Sequence, residues 1–277
     1  MIRFLAAAAF AAGLSAPALA QSVPFERAWR ADGLATPESV LYVPPLDAFL
    51  VANINEGSAT DQDGDGYIAF VDLDGELAEA PFATGLDAPK GMAATDDRLF
   101  VADIDELVEI ELATGGIVER YPYEAAQFLN DVTIGPDGVI YVSDMRRGEI
   151  LALENGALRV WAEGVTRVNG LLAEDDRLLA LAGDDLLAFD WTGERTGVVA
   201  SGFGGGDGIV PDGRGGYVAT QWGGRVFHVS PDGEVSTVSD TRLFNVNSAD
   251  PGYAPQAGLF AVPTFYDDGV IAFRFRD

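Results

Sequence analysis

A short pattern recurs six times in the 277-residue chain, and it constrains the fold more than any other feature. Each copy is a turn rich in Pro, Asp and Gly, followed by an apolar run that ends in a polar residue. The copies are FLVANI (49–54), LFVADI (99–104), IYVSDM (140–145), LLALAG (178–183), GYVATQ (216–221) and LFAVPT (259–264), starting 38 to 50 residues apart. In the first five repeats an apolar segment precedes the copy across a hairpin turn: SVLYV, GMAA, DVTI, GLLA and GIV. A third strand-like run follows: YIAFVD, LVEIEL, EILALE, LLAFDW, RVFHVS and VIAFRF. Most repeats add a more polar fourth run after a tight turn, as in PDGEVSTVS (231–239). Four short antiparallel strands per repeat of about 43 residues are the signature of a β-propeller. The expected fold is therefore all-β, with six blades in a single domain over residues 21–277. The last repeat stops after its third strand, and PFERAWRA (24–31) supplies the missing fourth, which closes the ring and removes two exposed edges.

Composition narrows the chemistry. The chain has no Cys, one His, and 44 acidic against 17 basic residues, for a net charge of −27. Binding to a phosphate backbone needs Lys and Arg to displace counterions, so no nucleic-acid partner is expected. Anionic membrane surfaces are disfavoured on the same ground. Thiolate nucleophiles and Cys-ligated zinc are excluded, and a lone His228 cannot build an HExxH metalloprotease site. Chemistry is left to carboxylates, amides, hydroxyls, Lys, Arg or a bound metal. Residues 1–20 read as a cleavable leader: Arg3, then the apolar run FLAAAAFAAGL (4–14), then Ala18-Leu19-Ala20 with the cut after Ala20. No later stretch approaches about eighteen apolar residues, so no membrane insertion is expected after cleavage. A periplasmic or secreted protein follows, and its oligomeric state is left open.

In a propeller the first strand of each blade lies nearest the axis, so equivalent positions where these strands begin converge on one mouth of the channel. Reading across the repeats gives Pro37-Glu38-Ser39, Pro89-Lys90-Gly91, Leu129-Asn130-Asp131, Val168-Asn169-Gly170, Gly206-Asp207-Gly208 and Val246-Asn247-Ser248. Four of these supply oxygen donors, Glu38, Asn130, Asn169 and Asp207, and Lys90 is the single cation. Two carboxylates and two amides suit a hard divalent cation, Ca²⁺ first, with Mg²⁺, Mn²⁺ or Zn²⁺ left open.

The segments PESVLYVPPLDAFLVAN, FLNDVTIGPDGVIYVSD, RVNGLLAEDDRLLAL and GGDGIVPDGRGGYVATQWGGRVFHVSPDGE resemble the senescence marker protein/gluconolactonase family over nearly all of the chain after the leader. The resemblance implies a six-bladed propeller with one catalytic divalent metal in the channel. It implies Glu38, Asn169 and Asp207 as ligands, with Asn130 beside the metal. Asp207 is the candidate base, and Asn130 the second catalytic residue. There is one departure. Family members active on sugar lactones often carry an Arg two residues before the Asn of the "FND" segment, and here that position is Phe128. A more apolar lactone or ester is therefore expected, with Lys90, Asn130 and Phe128 facing the substrate and Lys90 placed to hold a carboxylate or a developing oxyanion.

One further motif stands apart. In DQDGDGYIAFVD (61–72), Asp61, Asp63, Asp65 and Asp72 occupy positions 1, 3, 5 and 12 of an EF-hand-like loop. The flanks read as strands, so the loop is either a structural Ca²⁺ site on a hairpin or a plain Asp-Gly turn. The expected function is a metal-dependent hydrolase of lactone or related ester bonds. The alternatives are a non-catalytic propeller that binds a small molecule or protein partner, and a phosphotriesterase on the same metal.

Overall fold

The computed structural model describes residues 25–276; the leader expected over residues 1–20 and its cut after Ala20 lie outside them. The described chain is all-β. Six four-stranded antiparallel sheets form six blades, and among the described residues no helix is long and apolar enough to cross a membrane. Blade one comprises β2 (Pro37–Val43), β3 (Ala48–Asn53), β4 (Gly66–Val71) and β5 (Ala83–Leu86). Blade two comprises β6 (Pro89–Ala94), β7 (Arg98–Asp103), β8 (Glu106–Glu111) and β9 (Ile117–Pro122). Blade three comprises β10 (Leu129–Ile134), β11 (Ile140–Asp144), β12 (Glu149–Glu154) and β13 (Ala157–Glu163). Blade four comprises β14 (Val168–Ala173), β15 (Leu178–Ala182), β16 (Asp185–Phe189) and β17 (Arg195–Ser201). Blade five comprises β18 (Gly206–Pro211), β19 (Tyr217–Gln221), β20 (Arg225–Val229) and β21 (Val235–Asp240). Blade six combines β22 (Gly252–Ala254), β23 (Leu259–Pro263) and β24 (Gly269–Phe275) with β1 (Phe25–Asp32) from the other end of the chain.

The core is divided among the blade interfaces. The cluster around Leu50, Ile68, Leu99 and Val101 joins blades one and two, and that around Leu179, Leu186, Ile209 and Phe227 joins blades four and five. Each blade is thus covered on both faces. This explains why the second strands are unbroken apolar runs without polar alternation: every residue of β3, AFLVAN, is buried. A strand wet on one face would alternate with period two.

Ring closure is a β-pairing. β1 runs antiparallel to β24 from Phe25↔Phe275 to Asp32↔Gly269. Trp29 anchors the closing strand: its indole N–H donates to Leu73 O at 2.8 Å, and its ring meets Phe49 edge-on with centroids 6.1 Å apart. Trp29→Ala removes a half-buried aromatic side chain and a bonded donor at the seam. It should cost about 3 kcal/mol, read as a lower denaturant midpoint with an unchanged slope. A midpoint equal to that of the parent would show that the seam contributes nothing to closure.

Candidate active site

The first strands begin at one mouth of the channel, and a local irregularity aims their second residues. In the first five blades the pairing between first and second strands shifts register directly beside the ring residue, between Pro37 and Ser39, Pro89 and Met92, Leu129 and Val132, Val168 and Leu171, and Gly206 and Ile209. Such bulges bend the strand and re-aim a side chain. Carboxylates and amides at the ends of the second strands brace the approach. Asp103 accepts from the N–H groups of Asp87 and Ala88 at 2.9 and 2.8 Å. Asp144 accepts from Gln127 and Phe128 at 2.8 and 3.2 Å, and Asn53 accepts from Ala35 at 3.1 Å. Crowding at the axis explains Gly208: a Cβ there would fall 1.8 Å from Asp250 Oδ1.

Glu38, Lys90, Phe128, Asn130, Asn169 and Asp207 all line one cavity of about 330 Å³ at this mouth. All six are buried. Asn169 donates its Nδ2–H to Asp207 Oδ1, so the Asn169 carbonyl oxygen and Asp207 Oδ2 are the atoms left for other partners. Asp207 Oδ2 and Glu38 Oε2 are buried without any hydrogen-bond partner among the described residues. Burial, together with the charge of Asp207, raises the Glu38 carboxyl well above its ordinary range, against the opposing pull of Lys90. Burial likewise pushes Asp207 up to about 7, against the Asn169 hydrogen bond. Two buried, orphaned carboxylate oxygens on residues that line one cavity are what a hard cation would satisfy, and the two amide oxygens complete a donor set suited to it. The residues present fit a divalent metal.

Lys90 is fully buried rather than carried on an exposed loop. Its Nζ donates to Ala88 O at 2.6 Å and lies 4.7 Å from the centroid of the Phe128 ring. Burial lowers its pKa to about 8, opposed by the charges of Glu38 and Asp103.

Two expectations need correction, and one residue escaped the sequence reading. In blade six the ring position is Asp250, not Asn247. Ala249 N bonds Pro263 O at 3.0 Å and Gly252 pairs with Ala261, which places Asp250 where Glu38 and Lys90 stand in their blades. Asn247 instead donates to Trp222 O at 2.9 Å. The irregular connection over residues 241–251 hid this shift of three residues; counting back from the end of β23 would have found it. Sequence reasoning also passed over Asp131. Its carboxylate accepts from Val132 N–H at 2.7 Å and from Leu171 N–H in the next blade at 2.5 Å. With Asp250 it lines a second cavity of about 440 Å³ on the other side of the ring, walled by Val40, Met92, Leu171 and Ile209. Finally, Asp72 takes no part in the acidic loop: its Oδ1 accepts from Asp74 and Glu76 N–H at 2.9 Å and caps the following turn.

The other three acids of that loop lie near one another, but among the described residues they form no three-acid group placed to hold a metal ion. A Cβ on Gly57 would lie 2.7 Å from Asp61 Oδ2 and 3.6 Å from Asp63 Oδ2, and Asp65 Oδ1 is buried and unpartnered. Burial, then the Asp63 contact, raise the Asp65 carboxyl above its ordinary range. A raised folded-state pKa means stability that is lost as pH rises through it. Asp65→Asn should therefore raise the melting temperature of the protein by about 1–2 °C in chelator at neutral pH. A decrease in chelator would show that the loop is not strained by its own charge.

His228 lies outside the cavity; its Nε2 meets Asp212 Oδ2 at 2.9 Å. No family model matches the chain, and no curated protein matches it. Solved structures do. A gluconolactonase from Xanthomonas campestris superposes with a TM-score of 0.71 at 16% identity, covering 95% of this chain and 94% of that one. A structural-genomics target assigned to the gluconolactonases gives 0.69 at 18% identity, covering 92% and 93%. The fold is that of the gluconolactonase-like propellers. A virginiamycin B lyase from Staphylococcus aureus gives 0.60 at 13% identity, covering 91% of this chain and 100% of that one.

Proposed function

We propose that this protein is an exported hydrolase of lactone or related ester bonds, with a divalent cation, Ca²⁺ first, held by Glu38, Asn130, Asn169 and Asp207. The observation that carries the reading is the pair of buried, unpartnered oxygens, Glu38 Oε2 and Asp207 Oδ2, in one mouth cavity with two amides. The likeness of fold to a gluconolactonase supports it, and the apolar leader motif at residues 1–20 supports export. When bound, the cation supplies Lewis-acid polarisation of the substrate carbonyl.

The side chains divide the remaining work. Asn169 holds Asp207 by one oxygen, so Oδ2 takes the proton from the attacking water as its oxygen bonds the carbonyl carbon. The same proton passes to the alkoxide when the carbon–oxygen ester bond breaks. The Lys90 ammonium, fixed between Ala88 O and the Phe128 ring, lies in the same cavity as a donor for negative charge that develops on the carbonyl oxygen. Asn130 orients the ester through its amide, whose Nδ2–H donates to Met145 Sδ at 4.0 Å.

A lyase reading finds no support in the site. One of the virginiamycin B lyase structures is of a form made inactive by replacing a histidine, and the sole histidine here is spent on Asp212 outside the cavity. The test is a panel of lactones, esters and phosphotriesters assayed with Ca²⁺ and with chelator. Lactone hydrolysis that chelator abolishes and Ca²⁺ restores is expected. Faster turnover of phosphotriesters would reassign the substrate. No hydrolysis with Ca²⁺, Mg²⁺, Mn²⁺ or Zn²⁺ would replace the hydrolase by a propeller that only binds at this mouth.

A further inference from the structure

The walls of the mouth cavity describe the rest of the substrate. Trp222, Phe265 and Tyr266 form one side, three rings meeting edge-on with centroids 4.7 to 5.8 Å apart. Phe265 adopts φ +52°, a left-handed conformation that costs a non-glycine residue energy and that persists where its surroundings impose it. Trp222 remains 41% exposed and Tyr266 68% exposed, so this wall is open to a ligand. Phe128 lines the same cavity.

The polar inventory is equally specific. Apart from the four oxygen donors, the charged side chains lining the cavity are Lys90 and Arg167, both cations without acceptor atoms. A polyhydroxylated sugar lactone brings several hydroxyl donors. The four oxygen donors already serve the cation, the water proton and the ester group, which leaves the Tyr266 hydroxyl and the weak thioether acceptor Met145 Sδ as the other side-chain acceptors on the walls. Hydroxyls buried without acceptors carry a desolvation penalty. An apolar body against the aromatic wall carries none.

Arg167 points to the second feature. It belongs to the turn between β13 and β14, two residues before Asn169, with φ +59°. Its guanidinium lies over the Gly205 backbone, where a Cβ would be 3.1 Å from Nη2. It makes no ion pair among the described residues. An arginine fork left free at the rim of a binding cavity matches a carboxylate in two parallel hydrogen bonds.

We infer that the substrate is a lactone or ester with an aromatic-sized apolar body and a carboxylate substituent, the body lying on the Trp222–Phe265–Tyr266 wall and the carboxylate meeting Arg167. This deepens the hydrolase reading and rests on it. The test separates the two by measuring binding and turnover independently. Binding to the Ca²⁺-loaded protein is measured by calorimetry with three hydrolytically inert lactams: a benzo-fused lactam, the same compound bearing a carboxylate, and gluconolactam. The carboxylated aryl lactam should bind at least tenfold more tightly than either of the others. Arg167→Gln should cut its advantage over the uncharged aryl lactam by about ten- to a hundredfold, with Arg167→Lys falling between. Trp222→Ala should weaken both aryl ligands alike, by about tenfold. Equal binding of charged and uncharged aryl lactams by the parent protein overturns the inference, as does tightest binding of gluconolactam or a preference that survives Arg167→Gln. Turnover of the corresponding lactones is followed in parallel. Hydrolysis without the charge preference sinks the inference and leaves the hydrolase standing. The preference without any hydrolysis sustains the ligand class and removes the hydrolase.

Discussion

Asp207→Asn should lower lactone hydrolysis by about a hundred- to ten-thousand-fold, and saturating Ca²⁺ should not restore the rate. That range is what a positioned general base contributes. The substitution keeps the size of the side chain and an oxygen for the cation, but it removes the ability to accept a proton. No neighbour is placed to replace it: the side-chain amides of Asn130 and Asn169 are not bases, Glu38 is in the proposed site a ligand for the cation, and His228 is bonded to Asp212 away from the cavity. Metal occupancy measured independently across a Ca²⁺ titration separates the two roles of Asp207. Full recovery of the rate at full occupancy would make Asp207 a ligand alone and leave the base elsewhere.

The melting temperature of the metal-free protein should fall as pH rises from about 5 to 8, and Ca²⁺ should reverse the fall. Four buried or half-buried carboxyl groups drive this. Glu38, Asp131, Asp207 and Asp250 are all raised above their ordinary values, first by burial and then, for Glu38, Asp131 and Asp250, by one another's charge, with Asp131 and Asp207 at about 7. A group whose folded pKa is raised contributes stability below its unfolded pKa and loses it as pH climbs through the folded value. The window is therefore roughly pH 4 to 7 and beyond for Glu38 and Asp250. Lys90, lowered to about 8, is charged in both states below that pH and does not offset the trend. A cation at a hundred times its dissociation constant adds about 2.7 kcal/mol, which for a chain of this length is about 5 °C or slightly more. The shift should be largest at pH 8 and should shrink in Asp207→Asn, which isolates the mouth from the acidic loop. A melting temperature independent of both pH and Ca²⁺ would show that these carboxylates are not held apart from an ion they require.

Much of this was legible in the repeats. Each blade is one supersecondary unit whose apolar second strand is covered on both faces, so local patterning alone counts the blades and sets their strand order. The N-terminal run at 24–31 was identifiable as the missing fourth strand because the last repeat ends at Phe275 without one, and β1 pairs with β24 as that arithmetic requires. Symmetry then names five of the six ring positions, since equivalent residues of a rotational repeat converge on the axis.

What escaped the sequence lies where the repeat is broken or where contacts cross blades. The sixth ring position moved from Asn247 to Asp250 because strand register, not local composition, decides it across an irregular connection. Asp131 is buried by a hydrogen bond to Leu171 one blade away, and Lys90 by the Phe128 ring and Ala88. Asp72 left the acidic loop because its oxygen found the backbone N–H groups of its own turn first. The residues by themselves determined the six blades, the closing strand and five of the six ring positions, because turns and apolar runs recurring once per blade are a local property of the sequence. Only the tertiary structure decided which oxygens remain unpartnered at the mouth, and that Trp222, Phe265, Tyr266 and Arg167 from three different blade connections meet there, because burial and hydrogen bonding between blades exist only once the ring is closed.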